Sequence, residues 1–161
     1  MTTCVFPGSF DPVTNGHYDL IRRAASIFDR VTVAVMINVR KIYLIPVEYR
    51  VQMLEKLCAD LPNVRIDVWN GLLADYMRKQ GEHIILRGVR SYTEYDQEMS
   101  AAGANRLLND RTETILIPTS PQYSGVSSSA VKEIFSFGGD IRAFVPEVLK
   151  EEIIHFLSKE I

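Results

Sequence analysis

The stretch PGSFDPVTNGH, residues 7–17, sets two glycines, two prolines, a serine, an aspartate and a histidine directly behind a short apolar run. It holds too little apolar surface to be core. Gly8 and Ser9 open a tight turn whose backbone N–H groups are left to face a ligand. His17 falls in the first turn of the helix that follows, beside its positive dipole end. Free amides and an imidazole there suit an anion, phosphate above all. Neither G-x-G-x-x-G nor G-x-x-x-x-G-K-[ST] occurs, so this is a phosphate device of another kind.

Further segments carry charge or donors. Lys41 follows a β-branched run, and Arg87 and Arg90 flank Gly88 and Val89 in LRGVR. YSGVSSSAVK, residues 123–132, is a serine-rich turn opening a helix, where Ser127, Ser128 and Ser129 offer a cap and donors. No Ser/His/Asp or Cys/His pairing supplies a nucleophile, and no acidic or histidine cluster forms a metal cage. Taken alone, Asp11 before Pro12 reads as a turn residue. Glu98 reads as a solvated helix carboxylate, Leu72 and Leu73 as core, and Trp69 as packing.

These residues must be held by an α/β frame. Strands are expected at 3–6, 31–37, 64–69, 83–88 and 113–118. Helices are expected at 14–28, 46–61, 72–80, 91–108, 127–137 and 146–159. Thr14 is the expected N-cap of the first helix. Leu20, Ile21, Ala24, Ile27 and Phe28 share its apolar face, with Arg22 and Arg23 turned out. Pro46 suits a first helical turn, and Gly138-Gly139 a helix end. Strands alternating with helices predict a Rossmann-like doubly wound fold. It would be a five-stranded parallel sheet with helices on both faces, one domain over residues 1–161. Ligands of such sheets sit beyond the carboxyl ends of the strands, at 7–17, 38–45, 70–73, 87–90 and 119–129.

Composition narrows the class. The chain has 161 residues, 47% of them hydrophobic, enough for a real core. A net charge of −2 excludes a basic nucleic-acid footprint. No apolar run reaches the ~18 residues of a membrane span. Met1–Phe6 does not read as a signal peptide, and Cys4 and Cys58 read as free thiols in a reducing compartment. The expectation is a soluble cytoplasmic protein without nucleic-acid or membrane partners.

GSFDPVTNGH resembles the T/HxGH signature of the nucleotidyltransferase superfamily. YSGVSSSAVK resembles its second signature, and LRGVRSYTEYDQE, residues 86–98, resembles an RG(L/V/I)R segment. With GGDIRAFVPE near the end, residues 4 to about 147 resemble the bacterial phosphopantetheine adenylyltransferase family. The resemblance implies adenylyl transfer from ATP to 4'-phosphopantetheine, giving dephospho-coenzyme A and pyrophosphate. The acceptor is itself a phosphate, so positioning and charge stabilisation would carry the rate without a covalent intermediate.

By that resemblance His17, Lys41 and Arg90 are catalytic. Ser9, Phe10, His17, Gly88, Val89, Arg90 and Glu98, with Tyr123, Ser124, Gly125, Val126, Ser127, Ser128 and Ser129, bind ATP. Ser9, Lys41, Leu72, Leu73 and Arg87 bind phosphopantetheine, and Lys132 completes the serine pattern. No residue is assigned to a metal; Mg²⁺ arrives with ATP. A homo-oligomer, a hexamer, is expected.

The segment after Lys41 departs from the family pattern. Ile45 stands for an aromatic, Pro46 for a capping hydroxyl and Tyr49 for an acid, while Glu48 and Arg50 match. Gly125 replaces a bulkier residue, Gln97 a Tyr and Glu94 an Asp. The departures leave the shape of residues 38–49, and with it the role of Lys41, to be settled by structure. A nucleotidyltransferase with another phosphorylated acceptor and a nucleotide-binding regulator are the competing readings.

Overall fold

A computed structural model of the chain describes residues 1–160; Ile161, the last residue of the expected domain, lies outside them. The strands are β1 (Thr3–Gly8), β2 (Arg30–Ile37), β3 (Val64–Asn70), β4 (Ile84–Val89) and β5 (Glu113–Pro118). The α-helices are α1 (Asn15–Ile27), α2 (Val47–Leu57), α3 (Leu73–Gln80), α4 (Tyr92–Leu108), α5 (Ser128–Ser136) and α6 (Lys150–Leu157). All strand pairs are parallel, in the order β3-β2-β1-β4-β5. The sequence-predicted alternation is therefore the observed one.

Alternate side chains of each strand serve opposite faces. Cys4, Phe6, Val31, Val33 and Leu86 share one cluster with Leu20 and Ile21 of α1, Leu54 of α2, Val131 of α5 and Ile153 of α6. Their neighbours Val5, Ala34 and Ile85 meet Tyr76 and Met77 of α3 on the other face. With both faces covered, the run RVTVAVMI can be apolar nearly throughout. Helix α4 differs: none of its residues is buried, and Tyr92 is 85% exposed.

Boundaries moved where local chemistry overrode periodicity. Helix α2 stops at Leu57, four residues before the expected end, because Leu61 precedes Pro62 and is biased away from helix. Ile27, expected inside, is 63% exposed; Phe28, in extended backbone, is the buried residue there. The last expected helix divides into a 3-10 turn, α6 and a second 3-10 turn. A short 3-10 turn at Pro121–Tyr123 had no sequence signal. Both cysteines are buried free thiols, Cys4 pushed up to about 12 by burial and then by Glu82, Cys58 to about 11 by burial. No described helix is long and apolar enough to cross a membrane.

The strand order reverses between β1 and β4, whose registered pairing is Val5↔Ile85. A crevice at their carboxyl ends is what such a switch point supplies. Gly88 keeps α1 tight against β4: a Cβ there would sit 2.3 Å from Leu20 Cδ1. Leu20 is buried, so its side chain must shift to admit the methyl group. Gly88→Ala should therefore lower unfolding stability by about 1–3 kcal/mol, read from urea denaturation; unchanged stability would refute the close packing.

Candidate functional site

The turn after β1 is built around a strained residue. Phe10 adopts φ +50, the left-handed region that bulky side chains avoid. Its ring, 2% exposed, stands edge-on to Phe6 at 5.7 Å and to His17 at 5.0 Å between centroids. A Cβ on Gly8 would lie 2.9 Å from Phe10 Cζ, so the glycine makes room for the ring. Phe10 thus anchors the turn as core, a role the sequence did not reveal.

Two hydrogen bonds define the state of His17. Thr14 caps α1: its hydroxyl accepts from the His17 N–H at 3.3 Å, and the Thr14 N–H donates to His17 Nδ1 at 3.1 Å. An Nδ1 that accepts carries no proton, so the neutral ring bears its hydrogen on Nε2. Burial, with the nearby cations Arg87 and Arg90, lowers the imidazole to about 4. At neutral pH His17 is an uncharged donor through Nε2.

The arginines behind β4 are oriented by carboxylates from α4. Arg87 forms a forked pair with Glu98, Nε to Oε2 at 2.9 Å and Nη2 to Oε1 at 2.7 Å, and donates to the Pro7 carbonyl. Arg90 pairs with Glu94 and donates from Nη1 to the Val126 carbonyl at 2.7 Å. Burial alone would raise the Glu94 carboxyl, but hydrogen bonds and charge from Arg90 hold it below its ordinary value. Arg90 therefore joins β4 to the serine turn. There Ser127 caps α5 by accepting from Ala130 N–H, and Ser128 Oγ donates to the Pro12 carbonyl at 2.7 Å.

Two adjoining cavities open here, of about 730 and about 480 Å³. His17, Gly88, Arg90 and Ser127–Ser129 line the smaller one, with Phe10 and Val126. Leu72 and Leu73 line the larger one with Asn70, Ala101, Asn105 and Thr114. Ser9, Lys41, Arg87, Gln97 and Glu98 line both. Of the residues expected to hold the acceptor, only Leu72 and Leu73 are confined to the larger chamber; Ser9, Lys41 and Arg87 form a wall shared with the smaller one, where most of the expected nucleotide residues lie.

Four expected site residues are not in that lining. Val89 is committed to the sheet, its carbonyl accepting from Thr119 N–H at 2.8 Å. Tyr123, Ser124 and Gly125 form a turn closed by its own backbone, Val126 N–H to the Tyr123 carbonyl at 3.0 Å. A Cβ on Gly125 would meet nothing within 4 Å, so nothing in the fold demands glycine there. Leu72, read alone as core, is 57% exposed at the cavity mouth. Glu98 is fastened to Arg87 rather than solvated. Lys132 reaches Asp11 at 3.4 Å.

Residues not singled out individually, though they lie in the strand-end segments 38–45 and 119–129, complete the site. Thr119 lines the smaller cavity, and Asn38 and Tyr43 the larger one. Arg50, known in the sequence only as matching a pattern, is 2% exposed and donates to the Ser9 carbonyl at 2.7 Å.

Residues 5–134 match the cytidylyltransferase-like family. A phosphopantetheine adenylyltransferase of Clostridium perfringens is 47% identical over 158 residues, covering 98% of this chain and 96% of its own. One from Caldanaerobacter subterraneus subsp. tengcongensis is 41% identical, covering 99% of both chains. The chain belongs to the phosphopantetheine adenylyltransferase family. A solved structure of a candidate nicotinate-nucleotide adenylyltransferase from Vibrio parahaemolyticus shares the fold at TM-score 0.69 and 16% identity, over 100% of this chain and 98% of that one. Within the adenylyltransferase family frame, the resemblance drawn from three short motifs extends to nearly the whole chain.

The neutral histidine has a pH signature. An unfolded histidine takes a proton near pH 6.5, but folded His17 does so only near 4. Between these values the unfolded chain binds more protons. The contribution of His17 to stability is whole above about pH 6.5 and is lost as pH falls towards 4. NMR should show the His17 ring neutral down to about pH 4, and His17→Gln should flatten that part of the stability profile. Titration near 6.5 would contradict the assignment.

Proposed function

We infer that the two chambers are the nucleotide and acceptor halves of one adenylyl-transfer site. The chain transfers the adenylyl group of ATP to 4'-phosphopantetheine, giving dephospho-coenzyme A and pyrophosphate. The observation that carries the site assignment is the shared wall. Ser9, Lys41 and Arg87 belong to both cavities, where a phosphate from each side would meet.

In this proposal ATP lies in the smaller cavity, with its phosphates against the α5 N-terminus and Arg90. The pantetheine arm lies in the larger one, past Leu72 and Leu73, with its phosphate at Arg87 and Lys41. That phosphate attacks the α-phosphorus in line, and pyrophosphate leaves. His17 donates from Nε2 to the α-phosphate oxygen as charge gathers there. Its neutrality suits the role: a donor already aimed by Thr14 needs no proton uptake. No side chain forms a covalent intermediate.

Among the described residues no group of three or more His, Cys, Asp or Glu side chains could hold a metal ion. Glu94 and Glu98, the carboxylates lining the smaller cavity, are both engaged by arginines. Magnesium is accordingly proposed as part of the substrate, carried on ATP phosphates and water. A cytoplasmic setting is proposed because both substrates and two free thiols belong there.

We also propose a homo-oligomer, a hexamer as the family resemblance implies. Helix α4 supports self-association: Tyr92, Met99, Leu107 and Leu108 are exposed while no residue of the helix is buried. Light scattering should give the mass of a hexamer; a monomer would refute this.

A pyrophosphate-release assay over a panel of phosphorylated acceptors tests the reaction. 4'-Phosphopantetheine should be strongly preferred over nicotinamide mononucleotide. Loss of one such donor typically costs on the order of 10²–10³ in rate. His17→Ala should therefore lower kcat by about that factor while changing ATP affinity less. Wild-type turnover in that variant would remove His17 from the mechanism.

A further inference from the structure

Lys41 sits at an exposed turn whose neighbours Val39 and Ile42 are 81% and 93% exposed. No apolar burial holds that turn, yet a cation shared by both chambers needs a defined place. The turn is instead tied by a relay of polar contacts. The Lys41 N–H donates to the Asn38 carbonyl at 2.9 Å, and Asn38 Oδ1 accepts from the Arg40 N–H at 3.0 Å. The Asn38 N–H in turn donates to the Tyr43 hydroxyl at 2.7 Å. The Tyr43 ring lies under the Arg50 guanidinium, whose Cζ is 4.1 Å from the ring centroid. Arg50 is buried and donates to the carbonyls of Ile45 at 2.9 Å and Ser9 at 2.7 Å.

We propose that Tyr43 is a positioning residue for Lys41, its hydroxyl fixing the 38–41 turn and its ring joining that turn through Arg50 to Ser9. The two ends of the relay, Lys41 and Ser9, are both members of the shared wall. The relay gives a loop without the family's aromatic and capping hydroxyl ties of its own. Ile45, standing for the aromatic, is fully buried in the core. The Asp11 carboxylate accepts the N–H groups of Leu44 and Ile45 just ahead of Pro46. Stacking of a desolvated guanidinium on a tyrosine adds to these hydrogen bonds. The inference rests on the proposed role of Lys41.

Steady-state kinetics with ATP and 4'-phosphopantetheine, on Tyr43→Phe, Lys41→Ala and the double variant, test it. Tyr43→Phe keeps the ring over Arg50 and removes only the hydroxyl. Its kcat should fall about threefold to tenfold, the scale of one lost hydrogen bond. KM for ATP should stay within about twofold, because His17, Arg90 and the α5 N-terminus, which hold the ATP phosphates in the proposed site, are untouched. In the Lys41→Ala background the same change should cost nothing further, since no lysine remains to be placed. That non-additivity is readable whatever happens to the melting temperature, and a purely structural role would not produce it. Wild-type kcat in Tyr43→Phe, or penalties that multiply in the double variant, would overturn the proposal. Lys41→Ala at wild-type rate would overturn the role of Lys41 itself, and the positioning role with it.

Discussion

A carboxylate removed from water must find donors or cost several kcal/mol. Asp11, 3% exposed, meets that constraint by drawing three distant stretches together. It accepts the N–H groups of Leu44 and Ile45 from the loop ahead of α2, and faces the Lys132 ammonium on α5. Arg50 answers from the same loop, spanning the carbonyls of Ser9 and Ile45. One buried anion and one buried cation thereby close the opening turn, the Lys41 loop and the serine helix around a common space. The left-handed Phe10 and the placement of the turn amides are sustained by this closure.

Charge within the space is balanced before any ligand arrives. Arg87 and Arg90 each hold a carboxylate of α4. Such partly buried pairs fix guanidinium orientation more than they add stability. His17 contributes no charge at all, because burial and these same arginines keep it neutral. The excess positive charge at the junction falls to Lys41, an exposed residue.

The sheet was readable from sequence because alternating β-branched runs and amphipathic helices are local patterns. All five strands came within two residues of their expected bounds. The opening turn and serine helix start were readable for the same reason: glycine, capping hydroxyls and histidine act on their own backbone neighbourhood. Asp11 looked like a turn residue because its partners lie more than thirty positions away. Tyr43 lay in a flagged segment and Arg50 matched a pattern, but nothing joined them, since a cation–π contact has no sequence period. Glu98 looked solvated because the chain does not disclose that β4 lays Arg87 beside it. Tyr123–Gly125 shared a motif with the serines but not their place in the cavity lining, because they belong to the end of the 3-10 turn and the backbone turn after it.

Ser9, Lys41 and Arg87 face both chambers, so neither half of the crevice can be altered at those positions in isolation. In the proposed arrangement, a change that suited a new acceptor there would also disturb the nucleotide. The far wall is free of that coupling, since Leu72, Ala101, Asn105 and Thr114 touch only the larger chamber. The same asymmetry gives a small-molecule inhibitor two distinct handles. A group seated at the junction would block both chambers at once, whereas one along the far wall would block only the larger.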